Sequence, residues 1–255
     1  MQLDLAKLES DFGIRPGPVI HAGASYCQER EIYQQSRFLP VFWIEALNDV
    51  VIDSKDLLRD YPQQQIFNVT LWSLNDVEVE FNRTSNDGES SSILKLDLHQ
   101  YIHPNVNQTF SDIHITTTLD TFSQNNNLPN EISLLVLDLQ GAELQALQGA
   151  AELLKSTKAV FVEVSTVQMY KGQAIFAEVH AFLSSLNFGL VEHDLFENAV
   201  MGDALYINRE PISMIDLVFL DPPARQFDFK FSFYLLRAKL LKLGIPKYFL
   251  RNPFN

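Results

Sequence analysis

Three acidic residues stand directly after apolar runs, and that placement is where chemistry is expected. Asp138 follows Leu134-Leu135-Val136-Leu137, Glu45 follows Val41-Phe42-Trp43-Ile44, and Glu163 follows Ala159-Val160-Phe161-Val162. A carboxylate is costly to leave in a core, so each should emerge where its strand ends, the edge at which open α/β sheets bind ligands. A fourth feature is Pro18-Val19-Ile20-His21-Ala22-Gly23-Ala24, a short strand running into small residues, with a helix read as opening at Ser25. Small residues there let a ligand approach the backbone, and the helix start offers free N–H groups. With a single glycine, a plain tight turn accounts for the same residues. Glu45 lies about twenty residues beyond this loop, where dinucleotide and adenosyl binders hold ribose hydroxyls. Asp138 and Glu163 also offer two oxygen ligands of the kind magnesium takes. No third ligand is evident, so no metal is assigned.

The elements that must position these groups are organised around Leu134–Ala151. Four consecutive apolar residues mark a strand buried on both faces of a parallel sheet. After Asp138 the period changes: Ala142, Leu147, Ala150 and Leu154 recur at helical spacing, with Glu143 in the first turn, where a negative charge suits the helix dipole. A lead-in helix is expected over 1–13, stopped by Gly13 and Pro16, and further helices over 48–59 and 174–186. Residues 65–71 read as a third buried strand, 188–191 and 204–207 as the last two. Residues 77–81 and 112–118 alternate and read as half-exposed strands. Ser90-Ser91-Ser92 reads as solvated loop and 123–130 as a surface connection. Strand and helix alternate, predicting an α/β fold: a mostly parallel sheet with helices on both faces.

Composition narrows the function. The 255 residues suffice for one large domain, and a net charge of −13 repels a phosphate polymer, so no nucleic acid partner is expected. The single cysteine, Cys27, excludes an internal disulfide framework and a multi-cysteine zinc site. No run has the eighteen or so apolar residues of a membrane span, and the amino terminus lacks a secretory layout, so a cytoplasmic location is expected. The organisation reads as a lead-in helix over 1–16, a main domain over 17–210 and an extension over 211–255. The last is separate in charge, with seven basic residues between Arg225 and Arg251 against the lone acid Asp228. Its aromatic and leucine-rich face suits packing on the acidic domain or on a second subunit as a homo-oligomer; a membrane surface is the other reading.

VIHAGASYCQE, FWIEA, NDGESSSIL, TTTLD, LDLQGAELQALQGAAELL, VFVEVS and GDALYI occur in an order and spacing that resembles the FkbM-type methyltransferases, over about residues 17–208. The resemblance implies a Rossmann-like methyltransferase fold with a seven-stranded sheet whose last strand runs antiparallel. It also implies S-adenosylmethionine as cofactor and a small-molecule hydroxyl acceptor. Carried over by position, Gly23 and Ala24 form the turn under the methionine part, Glu29 lies near its amino group, and Glu45 holds the ribose. Asn68 lies near the adenine, and Asp138 beside the methyl group. Where the family carries a second glycine this chain has Cys27, whose side chain would occupy space left open there.

Methyl transfer from a sulfonium needs the acceptor oxygen aligned and relieved of its proton. Asp138 is the first candidate base, Glu163 the second, and His21, at the first strand's end, the third. Each has a structural alternative: hydrogen bonding to the cofactor or to a helix start for the acids, a buried structural histidine for His21. Tyr170 and His193 are candidates to line the acceptor pocket, against a buried aromatic and a surface loop residue. Two other functions fit the same features. One is a cofactor-binding or interaction protein that lost turnover, with Cys27 as the motive. The other is an NAD-dependent oxidoreductase, against which the glycine-poor first loop argues.

Overall fold

A computed structural model describes residues 3–195 and 200–208. The basic extension from 211 to 255, with the subunit and membrane readings attached to it, lies outside the described residues. The apolar runs form a seven-stranded sheet: β1 (Val19–Ala22), β2 (Val41–Glu45), β3 (Gln64–Asn68), β7 (Ile132–Leu137), β8 (Thr157–Ser165), β9 (Phe188–His193) and β10 (Met201–Asn208). Their order across the sheet is β3-β2-β1-β7-β8-β10-β9. β1 pairs in parallel with β2 and β7, β7 with β8, and β2 with β3. β10 runs antiparallel between β8 and β9. This is the expected Rossmann-like arrangement with its last strand reversed.

Successive residues of each central strand face opposite sides, and both sides are covered. Ile20, Leu135, Leu137, Val160 and Val162 join one core with residues of α5 (Leu119–Asn125), α6 (Glu143–Gln148) and α7 (Phe176–Ser185). Val19, Trp43, Leu134, Val136 and Phe161 join the other with residues of α1 (Leu5–Phe12), α2 (Arg30–Gln35) and α3 (Asn48–Leu57). Every residue of β7 is buried, which explains its unbroken apolar run.

Strand order reverses at the middle of the sheet: β1, β2 and β3 progress one way, and β7 and β8 lie on the other side of β1. That is the switch point at which open sheets leave a crevice. The parallel strands end at one edge in register. Ala22 pairs with both Ile44 and Leu137, and Leu137 with Val162, so Gly23, Glu45, Asp138 and Glu163 are neighbours there.

Several local readings are corrected. The stretch 65–71 is two strands, because the chain leaves the main sheet at Val69, and Thr70–Leu71 (β4) pairs instead with β6 (Gln108–Thr117). With β5 (Glu78–Thr84) these form a separate three-stranded sheet in the order β4-β6-β5. The surface connection after Ser123 is partly α5. No helix opens at Ser25: positive φ at Ser25 (43°) and Cys27 (51°) keeps 25–29 in turns, and α2 begins at Arg30. The helix after Asp138 ends at Gln148 and resumes as a 3₁₀ turn at Leu153–Ser156, where the Asp120 carboxylate accepts from the N–H groups of Glu152 and Leu153.

Among the described residues no helix is long and apolar enough to cross a membrane.

Candidate active site

The strand edge at the switch point opens into a cleft of about 520 Å³, inside the roughly 300–1,000 Å³ range of small-molecule sites. Its floor carries Gly23, Glu45 and Asp138; its roof comes from the segment between β5 and β6, including Ser90, Ser91 and His99. The serine run is therefore not solvated loop: Ser90, Ser91 and Ser92 are all buried. They stay buried because their polar groups are used. Ser92 exchanges backbone hydrogen bonds with Asn82, Ser91 Oγ accepts from the Thr84 amide, and Ser92 Oγ accepts from the Leu94 amide.

Glu45 is half-buried and fixed at both oxygens. The Ser25 amide donates to Oε2 and the Leu47 amide to Oε1, each at 2.9 Å. Burial raises its pKa while these donations oppose the rise. Glu29 also borders the cleft, and burial raises its carboxyl likewise. Gly23 has φ 86°, and a Cβ on it would lie 1.7 Å from the Asp138 carbonyl oxygen, so only glycine fits between the ends of β1 and β7. The Gly23 and Ala24 amides both donate to the Ile44 carbonyl, and Ala24 is buried in the core.

Asn68 is exposed and spends its amide on the carbonyls of Glu45 and Ala46; it is not on the cleft wall. The wall beside it comes from Val69, Thr70 and Leu71. Cys27 is fully buried in the α1–α3 core rather than aimed at the cleft, and burial pushes its thiol up to about 12. Its φ of 51° explains why glycine suits this position.

Asp138 is exposed to the cleft, while the protein packed around it removes part of its surrounding water. That desolvation, with the charges of Asp203 and Glu29, pushes it up to about 6, against a lowering donation from Gln140. Glu163 is half-buried, and burial together with Asp138 and Glu143 raises it well above the ordinary range. Glu143 joins them: one oxygen from each of the three acids lies within 4.8 Å of the others. The sequence offered two ligands for a divalent cation, and Glu143 is the third carboxylate. Positive φ at Gln140 (52°) and Gly141 (98°) folds the chain back, so that Glu143 Oε1 accepts from the Leu139 amide at 2.8 Å and the Gly141 amide at 3.0 Å. Burial pushes it up to about 7. Gly141 is the residue in this stretch whose type marks a turn.

The remaining candidates sit as follows. His21 borders the cleft, but its Nδ1 lies 3.0 Å from the Tyr33 hydroxyl and burial lowers its pKa to about 3, leaving a neutral ring with little basicity. Tyr170 is fully buried behind the cleft wall; its hydroxyl donates to Gln140 Oε1 at 2.6 Å and lies 3.2 Å from the Ser90 carbonyl oxygen. His193 ends β9 at the far edge of the sheet, its ring against Phe176, away from the cleft. Sequence reasoning missed His99, a cleft residue whose pKa burial lowers to about 4, and Gln140.

The methyltransferase FkbM domain matches residues 54–190, more than half of the chain. The chain belongs to the FkbM methyltransferase family. The matched range starts beyond Glu45 and includes the acidic triad. No curated protein matches this FkbM methyltransferase in sequence.

Among solved structures, TrmK of M. capricolum in complex with S-adenosyl-homocysteine is 9% identical. It covers 96% of this chain and 85% of its own, with a TM-score of 0.51, which shows a shared fold. A protein of the NADB-Rossmann superfamily from Streptococcus agalactiae covers 97% and 89% at 11% identity and a TM-score of 0.49. Magnesium protoporphyrin IX methyltransferase from Synechocystis PCC 6803, with bound SAM, covers 80% and 76% at 10% identity and a TM-score of 0.45.

Proposed function

We propose that the cleft binds S-adenosylmethionine and that its methyl group passes to a hydroxyl oxygen of a small acceptor, a sugar or natural product. The observation that carries this reading is the juxtaposition of Glu45 and Asp138 on either side of Gly23, facing one cleft at the switch point. Bound there, S-adenosylmethionine supplies a methyl group already activated on a sulfonium.

Glu45 accepts from the ribose hydroxyls, its carboxylate pre-aimed by the Ser25 and Leu47 amides. Glu29 provides the negative charge for the amino group, and Asp138 stands beside the methyl group. Val69 and Leu71 give the adenine an apolar wall, while Asn68 supports it by fixing the end of β2.

Asp138 is the base. A carboxyl near 6 is mostly ionised at neutral pH yet basic enough to share a proton in the transition state. It takes the acceptor's hydroxyl proton as the oxygen bonds to the methyl carbon, and later releases it to solvent. Glu163 keeps a proton beside it, and His21 stays a neutral wall residue. If a divalent cation binds, Asp138, Glu143 and Glu163 hold it.

Mass spectrometry of a metabolite extract incubated with protein and isotopically methyl-labelled donor tests this. A product heavier by one labelled methyl group is expected. No incorporation while the donor is bound would contradict it.

A further inference from the structure

A second cavity, of about 320 Å³, reaches the site from the side of the sheet on which α1 and α2 pack. It meets the cofactor cleft at His21, Glu29 and Asp138, which border both. Strand register forms its floor. His21 pairs with Val136 and Val136 with Phe161, so their side chains make one row across β1, β7 and β8 on a single face. Elsewhere the central strands are sealed: Leu134, Leu135, Leu137, Val160 and Val162 are 0% exposed. The row is not. His21 keeps 7% of its surface, Val136 4% and Phe161 8%, and all three line the cavity. Leu3, ahead of α1, and Ile32 and Tyr33 of α2 complete the walls. Ile32 is a large apolar side chain left 39% exposed.

Polar groups gather at one end of this space. Asp138 stands there with Asp203, which β10 brings beside Glu163, and with Glu29. The Tyr33 hydroxyl is engaged with His21 Nδ1 at 3.0 Å, so the walls of Leu3, Ile32, Val136 and Phe161 offer carbon surface alone. A sugar enclosed here would lose water from several hydroxyls without a replacement partner for each. An anion would face three acids. An uncharged apolar body carrying a hydroxyl matches both parts: the body covers the open floor, and the hydroxyl reaches the carboxylates.

We propose that this cavity is the acceptor site of the methyl transfer, and that the acceptor is an uncharged apolar molecule bearing a hydroxyl, a phenol in its simplest form, rather than a free sugar. Leu3, Ile32 and Phe161 hold its body, and its hydroxyl meets Asp138 where the cavity joins the cofactor cleft. The inference rests on the methyltransferase reading of that cleft and narrows its acceptor.

Ligand-observed NMR on the full chain, with S-adenosyl-homocysteine present, tests it with naphthol as the probe, methyl glucoside as the sugar and naphthoate as the anion. Naphthol is expected to bind, and the other two not. Ile32→Gln and Leu3→Gln, both away from the sealed core, should each weaken naphthol by about three- to tenfold and leave the calorimetric affinity for S-adenosylmethionine unchanged. Thermal melting verifies that each variant folds, and Ile32→Gln carries the test if Leu3→Gln does not. No naphthol binding, methyl glucoside or naphthoate binding as tightly as naphthol, or a naphthol affinity unchanged in the folded variants overturns the proposal. Failure of the underlying reading shows separately, as no calorimetric binding of S-adenosylmethionine; with donor binding intact, a failed naphthol arm falls on this inference alone.

Discussion

Gly23 and Asp138 meet where β1 and β7 end, so closely that a Cβ on Gly23 would lie 1.7 Å from the Asp138 carbonyl oxygen. The contact fixes the base candidate beside the loop that faces the cofactor cleft. Gly23→Ala must move one strand end or the other and also places a side chain at φ 86°. It should cost about 3 kcal/mol or more and lower Tm by roughly 6–12 °C in a domain of this size. Thermal melting with calorimetric detection checks it.

Asp138→Asn keeps the shape of the side chain and removes its basicity. Turnover should fall by about 10²–10⁴-fold while donor affinity stays within a few fold. In the wild type the rate should rise with pH through about 6 as the carboxyl ionises. Single-turnover rates with labelled donor across pH 4.5–8 measure both.

Glu143 links the site to stability. Its folded pKa, about 7, lies above the ordinary 4.5, so folding favours its protonated form. That contribution is complete below about 4.5 and is lost as pH rises through 7. The buried histidines His21 and His99 have the opposite sign, losing stability as pH falls below 6.5, so the net profile mixes both. The difference between Glu143→Gln and wild type isolates the acid. It should move in favour of the variant as pH rises from 4.5 to 7, by at most roughly 3 kcal/mol. Denaturant melts at a series of pH values give this difference directly.

Much of this was legible in the sequence because buried parallel strands need long apolar runs, and a carboxylate after such a run must leave the core. Glu45, Asp138 and Glu163 follow from those two rules. Partners across space were not legible. Nothing in the alternation of 77–81 or 112–118 says that these strands pair with each other in a second sheet. The serine run gave no sign that Asn82 and Thr84 would satisfy it. Glu143 read as a helix-dipole residue because its approach to Asp138 depends on two positive φ angles in succession. Cys27 read as an intrusion into the cofactor space, when its backbone turns the thiol into the core.

That turn gives a simple check. Cys27 is fully buried with its thiol pushed up to about 12, so native protein should not react with a thiol reagent at pH 8. Denatured protein should react with one equivalent, since the chain has a single cysteine. Absorbance after reagent addition, with and without denaturant, reads both.

Calorimetric titration of the full chain with S-adenosylmethionine, repeated with Glu45→Ala and with NAD as the competing ligand, tests the central claim most directly. Saturable binding of S-adenosylmethionine, weakened about tenfold or more in Glu45→Ala, and no binding of NAD is the predicted result. Binding of NAD alone, or an affinity for S-adenosylmethionine unchanged by the loss of Glu45, would contradict it.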